Sequence, residues 1–579
     1  MIPALLLASL ASNDAHALDL WGTGPLSSST LLVNSETYIR YRHIDDTLPG
    51  FEDREFLLDF GEQVERLNLS LTKNRFTMGT QIDQVALFFN KYILDGELVR
   101  NPQLYTDPQI ISPFEDILVV MEKIYLQQRW NALEVTVGDT YATFGRGIAL
   151  NVVRNAAIDI DSSIRGGKAI VHAGDMDFTV VSGLTNRQQV NRLNFNIGLD
   201  QDPPHMISGG RIEHYALGPV QAGVHGTIAR FARAQDFDKP GITRYEEDLD
   251  VSVTGATVEA LGVLGADWYI EGDLFNYRTP EIAGQEDPLN GWIVYGSSSF
   301  YPGPFVILLD GKVSKNTERI NSFIALVPNN PWEMSTPPTL EYERVITEDS
   351  AATVNSNDVF GARARVDWAI KPGEIIPYAS MVVLRDNDLV GHFNRSPETI
   401  VHPLVGGQFF PDDKIIIVNG GFRRDIRDDP EEGFDQLVHV DGEVTFPLFG
   451  EEALEVAVSV RRFRFGENIQ GQEPFISMEN ALVWKRGEKL DLILYQDWTD
   501  NPLFLADGVG NMDRVVTALF DQDWGENLFL ALEAQYKPNP GSELSVFLGA
   551  YKAGIRCSGG QCRQLPGLNG GQLTYTTQF

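Results

Sequence analysis

The chain has 579 residues and carries 80 acidic against 46 basic side chains, a formal charge of -34 at pH 7. That balance argues against a nucleic-acid partner, because neutralising a phosphate backbone takes clustered Lys and Arg. It suits a surface that gathers divalent cations, a cation-attracting pore, or ordinary acidic solubility.

In chain order, the first feature is an apolar run at Leu5-Leu-Leu7 followed by Ala15-His16-Ala17. This reads as an export signal over residues 1–17 with cleavage after Ala17, although no Lys or Arg precedes the run. No stretch of the chain approaches 18 consecutive apolar residues, so helical membrane spans are not expected. Residues 18–579 read as one domain, because the segments that follow share one grammar. They are about ten residues long, alternate apolar with polar, and are separated by turn residues.

Leu133, Val135 and Val137 oppose Glu134, Thr136 and Gly138. The alternation then breaks at Tyr141-Ala-Thr-Phe-Gly145-Arg146-Gly147 and continues irregularly through Arg154 to Arg165-Gly166-Gly167-Lys168. Glycines permit close backbone approach, and four cations make a positive patch in an acidic chain. Two readings stand here: an inward loop setting a constriction, or a long hairpin connection with its charges in water.

Further on, Phe360, Ala362, Ala364, Val366 and Trp368 oppose Arg363, Arg365 and Asp367. Charges in a row on the polar face suit a water-filled lumen, so these three join Arg146, Arg154, Arg165, Lys168 and Arg461 as candidate pore-lining residues. Two arginine clusters, Arg423-Arg424-Arg427 and Arg461-Arg462-Arg464, read either as lumenal ladders or as strand-end groups that meet lipopolysaccharide phosphates and acidic loops. Leu454, Val456, Val458 and Val460, and later Leu530, Leu532, Ala534 and Tyr536, again make apolar faces.

Cys557 and Cys562 are the only cysteines. Two near thiols and none elsewhere suit an oxidising compartment and a loop-closing disulfide. Their flanks offer only Arg556, Arg563 and Gln564, so no metal site is expected there. The Gly-Arg-Gly and Arg-Gly-Gly elements, with the Cys-Ser-Gly-Gly-Gln-Cys loop, resemble an uncharacterised family of large outer-membrane barrels, a resemblance that assigns no function. The last strand, Leu573-Thr-Tyr575-Thr-Thr-Gln-Phe579, resembles the signal by which bacterial outer-membrane barrels are recognised for insertion, with Thr577 where an aromatic or aliphatic residue is usual.

Alternation alone fits a soluble sandwich or propeller as well as a membrane barrel. No fixed blade-length repeat occurs. Charged polar faces, aromatics at strand ends (Trp130, Tyr141, Trp368, Tyr536) and connections that alternate between tight and long favour the barrel. The expectation is a single antiparallel transmembrane barrel of roughly 24–26 strands, with short periplasmic turns and long extracellular loops. Enzyme motifs are missing, the nine histidines are scattered, and acidic loops lack calcium-loop spacing, so neither catalysis nor a cofactor nor a metal is expected. The functional expectation is a porin-like channel for small solutes in a bacterial outer membrane, with lipid, lipopolysaccharide and the barrel-assembly machinery as partners. The alternative is a barrel scaffold for attachment, secretion or motility, its pore closed or occupied by a partner.

Overall fold

The computed structural model describes residues 18–19, 29–43, 56–94, 97–100, 117–155, 160–161, 163–185, 206–231, 249–278, 289–315, 359–386, 399–411, 414–426, 434–465, 474–499, 528–551, 554–558, 561–565 and 568–578. Long strands dominate. In the first half of the chain they are β1 (Ser29–His43), β2 (Phe56–Lys73), β3 (Phe76–Leu94), β4 (Ile117–Arg129), β5 (Leu133–Thr140), β6 (Ile164–Ala173), β7 (Met176–Thr185), β8 (Met206–Leu217), β9 (Val220–Phe231), β10 (Leu249–Val263), β11 (Ala266–Arg278) and β12 (Leu289–Phe300). The second half supplies β13 (Phe305–Lys315), β14 (Val359–Trp368), β15 (Ile375–Asp386), β16 (Thr399–Phe409), β17 (Ile415–Ile426), β18 (Phe434–Pro447), β19 (Glu452–Phe465), β20 (Phe475–Arg486), β21 (Leu490–Thr499), β22 (Leu528–Asn539), β23 (Ser542–Tyr551) and β24 (Leu568–Gln578).

Each strand pairs antiparallel with the next, and β24 returns to β1 in a ladder from Asn34↔Gln578 to Arg42↔Gly570. The result is a closed antiparallel barrel of 24 strands, inside the expected range. Closure satisfies the backbone groups that an open edge would leave unpaired. Short ribbons stand outside the ring: Ala142–Phe144 with Leu150–Val152, Arg154–Asn155 with Ile160–Asp161, and Gly554–Ser558 with Gln561–Leu565.

Side-chain direction follows the alternation. Val405 and Leu274 are 65% and 63% exposed on the outer surface, whereas Arg363 and Arg461 are 3% and 1% exposed on the inner one. Apolar residues that face out while charged residues are enclosed reverse the arrangement of a soluble sandwich. Only a hydrocarbon surround makes that favourable, which defines a transmembrane barrel.

The connections sort by length onto two rims. Turns such as 74–75, 130–132, 174–175, 218–219, 264–265, 301–304 and 448–451 all join strands at the end where β1 begins and β24 finishes. Asn74 (φ 52) and Gly174 (φ 65) take the left-handed conformation that two-residue turns of a twisted hairpin require. Aromatic residues ring this rim: Trp268 packs edge-on to Phe300 at 5.2 Å, and Phe305 stacks on Trp368 at 5.8 Å. Amphipathic rings at that height mark the boundary between lipid and water. The strand ends joined by the long connections, such as His43 and Arg278, lie at the opposite rim. Residues 1–17, Phe579 and most of those connections fall outside the described residues. Tyr575 lies in β24, opposite Thr37 and Leu544.

Candidate constriction and its charged wall

From the end of β5 the chain turns into the barrel, so the inward loop is the reading the structure shows. Gly145 (φ 61) and Gly147 (φ 90) adopt backbone angles that other residues rarely take, and Gly147 N donates to Phe144 O at 3.1 Å to close the turn. Phe144, Ile148, Ala149, Leu150 and Val152 then pack against inward-facing Ile164, Val181, Ile207, Val251, Val253, Tyr269 and Tyr277 of the wall. Fully burying a large aliphatic or aromatic side chain contributes roughly 1.5–3 kcal/mol. Four such residues make this segment a fixture of the wall rather than a swinging lid.

Polar anchors hold the backbone of the segment. Thr227 Oγ1 donates to Ala149 O at 3.0 Å, and Lys168 Nζ donates to Tyr141 O at 3.0 Å. Arg146 N and Tyr269 Oη both donate to Glu271 Oε2, at 2.8 and 2.5 Å. The Arg146 guanidinium lies 4.5 Å from the centre of the Tyr269 ring, a cation–π geometry. A Cβ at residue 145 would fall 1.7 Å from Glu271 Oε1, so only glycine brings the segment this close.

The rest of the inner wall is lined by paired charges. Arg363 makes two bonds to Asp310 Oδ2, at 3.0 and 2.8 Å, and Tyr295 Oη donates to Asp310 Oδ1 at 3.2 Å. Arg365 pairs with Asp367 at 2.7 Å and lies over the Tyr378 ring at 4.1 Å. Arg423 grips Asp425 with bonds of 2.7 and 2.9 Å. Arg461 lies 3.7 Å from both Asp441 and Glu479. A recess of about 420 Å³ opens among Arg365, Tyr378, His402, His439, Asp441 and Tyr495. Near the long-loop rim the inner face turns apolar again, with Leu437, Phe463 and Phe475 buried together and the two Phe rings stacked at 4.5 Å.

The residues expected from sequence therefore divide. Lys168, Arg363, Arg365, Asp367 and Arg461 stand on the inner side, Arg146 is exposed on the inward segment, and Arg154 is exposed at its base. Arg165 departs from the expectation. Its neighbour Ile164 is fully buried in the inner cluster, so alternation sets Arg165 with Ala169 and Val171 on the outward side. There it meets its ladder partner Asp139, with Nη2 3.3 Å from Oδ2. Arg424, Arg462 and Arg464 also take the outward side, while Arg423 points in. Cys557 and Cys562 are direct ladder partners, and their side chains lie outside the described set. His225, Glu271, Asp273, Asp310 and His439 were not singled out from sequence.

Residues 29–203 match the model of a family of unknown function, DUF6029. No curated protein matches. Solved structures similar to this chain include the P pilus usher (PapC) translocation pore, at 7% identity and a TM-score of 0.42 over 95% of this chain and 99% of that one. The siderophore receptor PirA from Pseudomonas aeruginosa aligns at 9% identity and TM-score 0.42, over 95% of this chain and 80% of that one. A BenF-like porin from Pseudomonas fluorescens Pf-5 aligns at 9% identity and TM-score 0.35, over 71% and 96%. At these values no function transfers from any of them.

Proposed function

We propose that the chain is an outer-membrane channel for small solutes, narrowed by the segment Tyr141–Asn155. The observation that carries this reading is the fixed apolar seating of that segment on one side of a lumen whose other walls bear opposed Arg and Asp or Glu. Such linings orient and select solutes by charge. A barrel of 24 strands exceeds the 16–18 of water-filled porins, so an inward segment is what reduces its bore. The role is conduction rather than catalysis. Export through the signal at residues 1–17, contact with lipopolysaccharide and insertion by the barrel-assembly machinery complete the reading. The ladder pairing of Cys557 with Cys562 supports a disulfide there.

Planar-bilayer recording tests it. The intact chain should conduct, and replacing residues 142–154 with a short Gly-Ser linker should raise the single-channel conductance. Silence from both would remove the channel reading and leave the scaffold. The buried apolar inner band at Leu437, Phe463 and Phe475 favours that second reading, because a wall that is apolar and covered does not suit a water-filled pore. Mild crosslinking in native membranes would then recover a stoichiometric partner.

A further inference from the structure

His225 and Asp273 stand on strands separated by β10, yet they touch. His225 Nε2 lies 2.7 Å from Asp273 Oδ1. Between them β10 presents Gly255, where a Cβ would come within 2.0 Å of Asp273 Oδ1 and 2.6 Å of His225 Nε2. Glu271 projects from β11 two residues before Asp273. One ligand atom from each of the three lies within 4.8 Å of the others.

All three side chains are buried, with relative exposures of 6% for His225, 0% for Glu271 and 1% for Asp273. Beside the bond between His225 and Asp273, Glu271 Oε1 and Asp273 Oδ2 still have no hydrogen-bond partner. A buried oxygen left without a partner is destabilising, because it has given up its water. Two buried carboxylates this close also need positive charge. Arg211, on the strand beside that of His225, is committed to Glu213 at 2.7 Å, and the Arg146 guanidinium lies over the Tyr269 ring.

We propose that His225, Glu271 and Asp273 bind one divalent first-row metal ion beneath the inward segment. An imidazole nitrogen with two carboxylate oxygens is a donor set of the zinc and manganese class, and it lacks the all-oxygen character that calcium requires. Adjacent ligands on such an ion, each about 2.1 Å away, sit roughly 3 Å apart, close to the present separation of Nε2 and Oδ1. Binding there displaces any proton those two atoms share to solvent, so lowering the pH weakens metal uptake. Because Glu271 also holds Arg146 N, the ion fastens the segment to the wall. This site stands independently of whether the barrel conducts.

The test uses the full chain in detergent micelles, stripped with chelator and then dialysed against Zn²⁺. Millimolar Ca²⁺ and Mg²⁺ are included to occupy exposed carboxylates. Metal counting by plasma mass spectrometry should find one more zinc per folded wild-type chain than in His225→Asn or Asp273→Asn. Equal counts would overturn the site. Should a variant lose the heat-resistant folded mobility on gels, hydrogen exchange of the wild type decides instead. Zinc should slow exchange in residues 141–155 at least several-fold, and exchange indifferent to zinc would overturn the proposal.

Discussion

His402 Nε2 and His439 Nε2 lie 2.9 Å apart although a whole strand, β17, runs between their own. Strands two apart are separated by nearly 10 Å, so their side chains meet only where the strand between them has none at that height. Gly421 supplies the gap, as Gly255 does for His225 and Asp273. A Cβ at 421 would sit 2.5 Å from His439 Nε2 and 2.8 Å from His402 Nε2. Gly421→Ala should therefore force the rings apart and destabilise the barrel by about 1–3 kcal/mol, the usual cost of overpacking. Gly442→Ala, whose nearest neighbour would be Ile417 O at 3.9 Å, should change little. Denaturant unfolding in micelles compares the two, and indistinguishable midpoints would contradict the account.

The Arg363–Asp310 pair is enclosed, with side chains 2% and 3% exposed. Removing one partner of a buried pair typically costs about 3–5 kcal/mol, because the other charge is stranded. Asp310→Asn alone should show a loss of that order. Combining Arg363→Met with Asp310→Leu should recover most of it, since neither charge then needs a partner. A double variant as unstable as the single one would mean that the pair is not what the loss reports.

Leu274 faces outward six residues past the boundary residue Trp268, deep in the apolar belt. Lysine at a lipid-facing midplane position costs about 2–4 kcal/mol. Leu274→Lys should reduce the yield of folded, heat-resistant barrel in membranes. Gln127→Lys, on the inner side beside Glu134, should leave the yield intact. Equal yields would argue against lipid on the outer face.

Arg424 and Arg464 flank Gln436 across β18 in one ladder row, with Arg462 beside them, all exposed on the outward side near the long-loop rim. Guanidinium groups placed there match lipid phosphates geometrically. Changing all three to Gln should lower the phosphate that copurifies with each chain by at least half. Unchanged phosphate would separate these arginines from lipid recognition.

Much of the barrel was legible because its grammar is local. The parity of Phe360 through Trp368 and the tight turns at 130–132 and 302–304 follow from neighbouring residues alone. The inner pairings are another matter. Asp310 and Arg363 are brought together only once β13 and β14 are in register, across a long connection. In sequence Asp310 looks like any lumen-facing carboxylate. Arg165 reads as lumenal by its charge, but the parity that Ile164 sets places it on the outer side. The seat of the inward segment did leave a trace, since Val251, Val253, Phe275 and Tyr277 put apolar groups on the side where polar ones belong. That double-sided greasiness in β10 and β11 marks a surface with something lying on it.

The seam between β1 and β24 sets a condition on biogenesis. The strands between them find their partners among segments just before or after them in the chain, whereas β1 has to wait for the eleven-residue β24. Losing that strand would not yield a slightly smaller cylinder. It would leave a curled ribbon with two sticky margins, prone to polymerise with its own kind, so the cell must keep the polypeptide from curling up until its tail arrives.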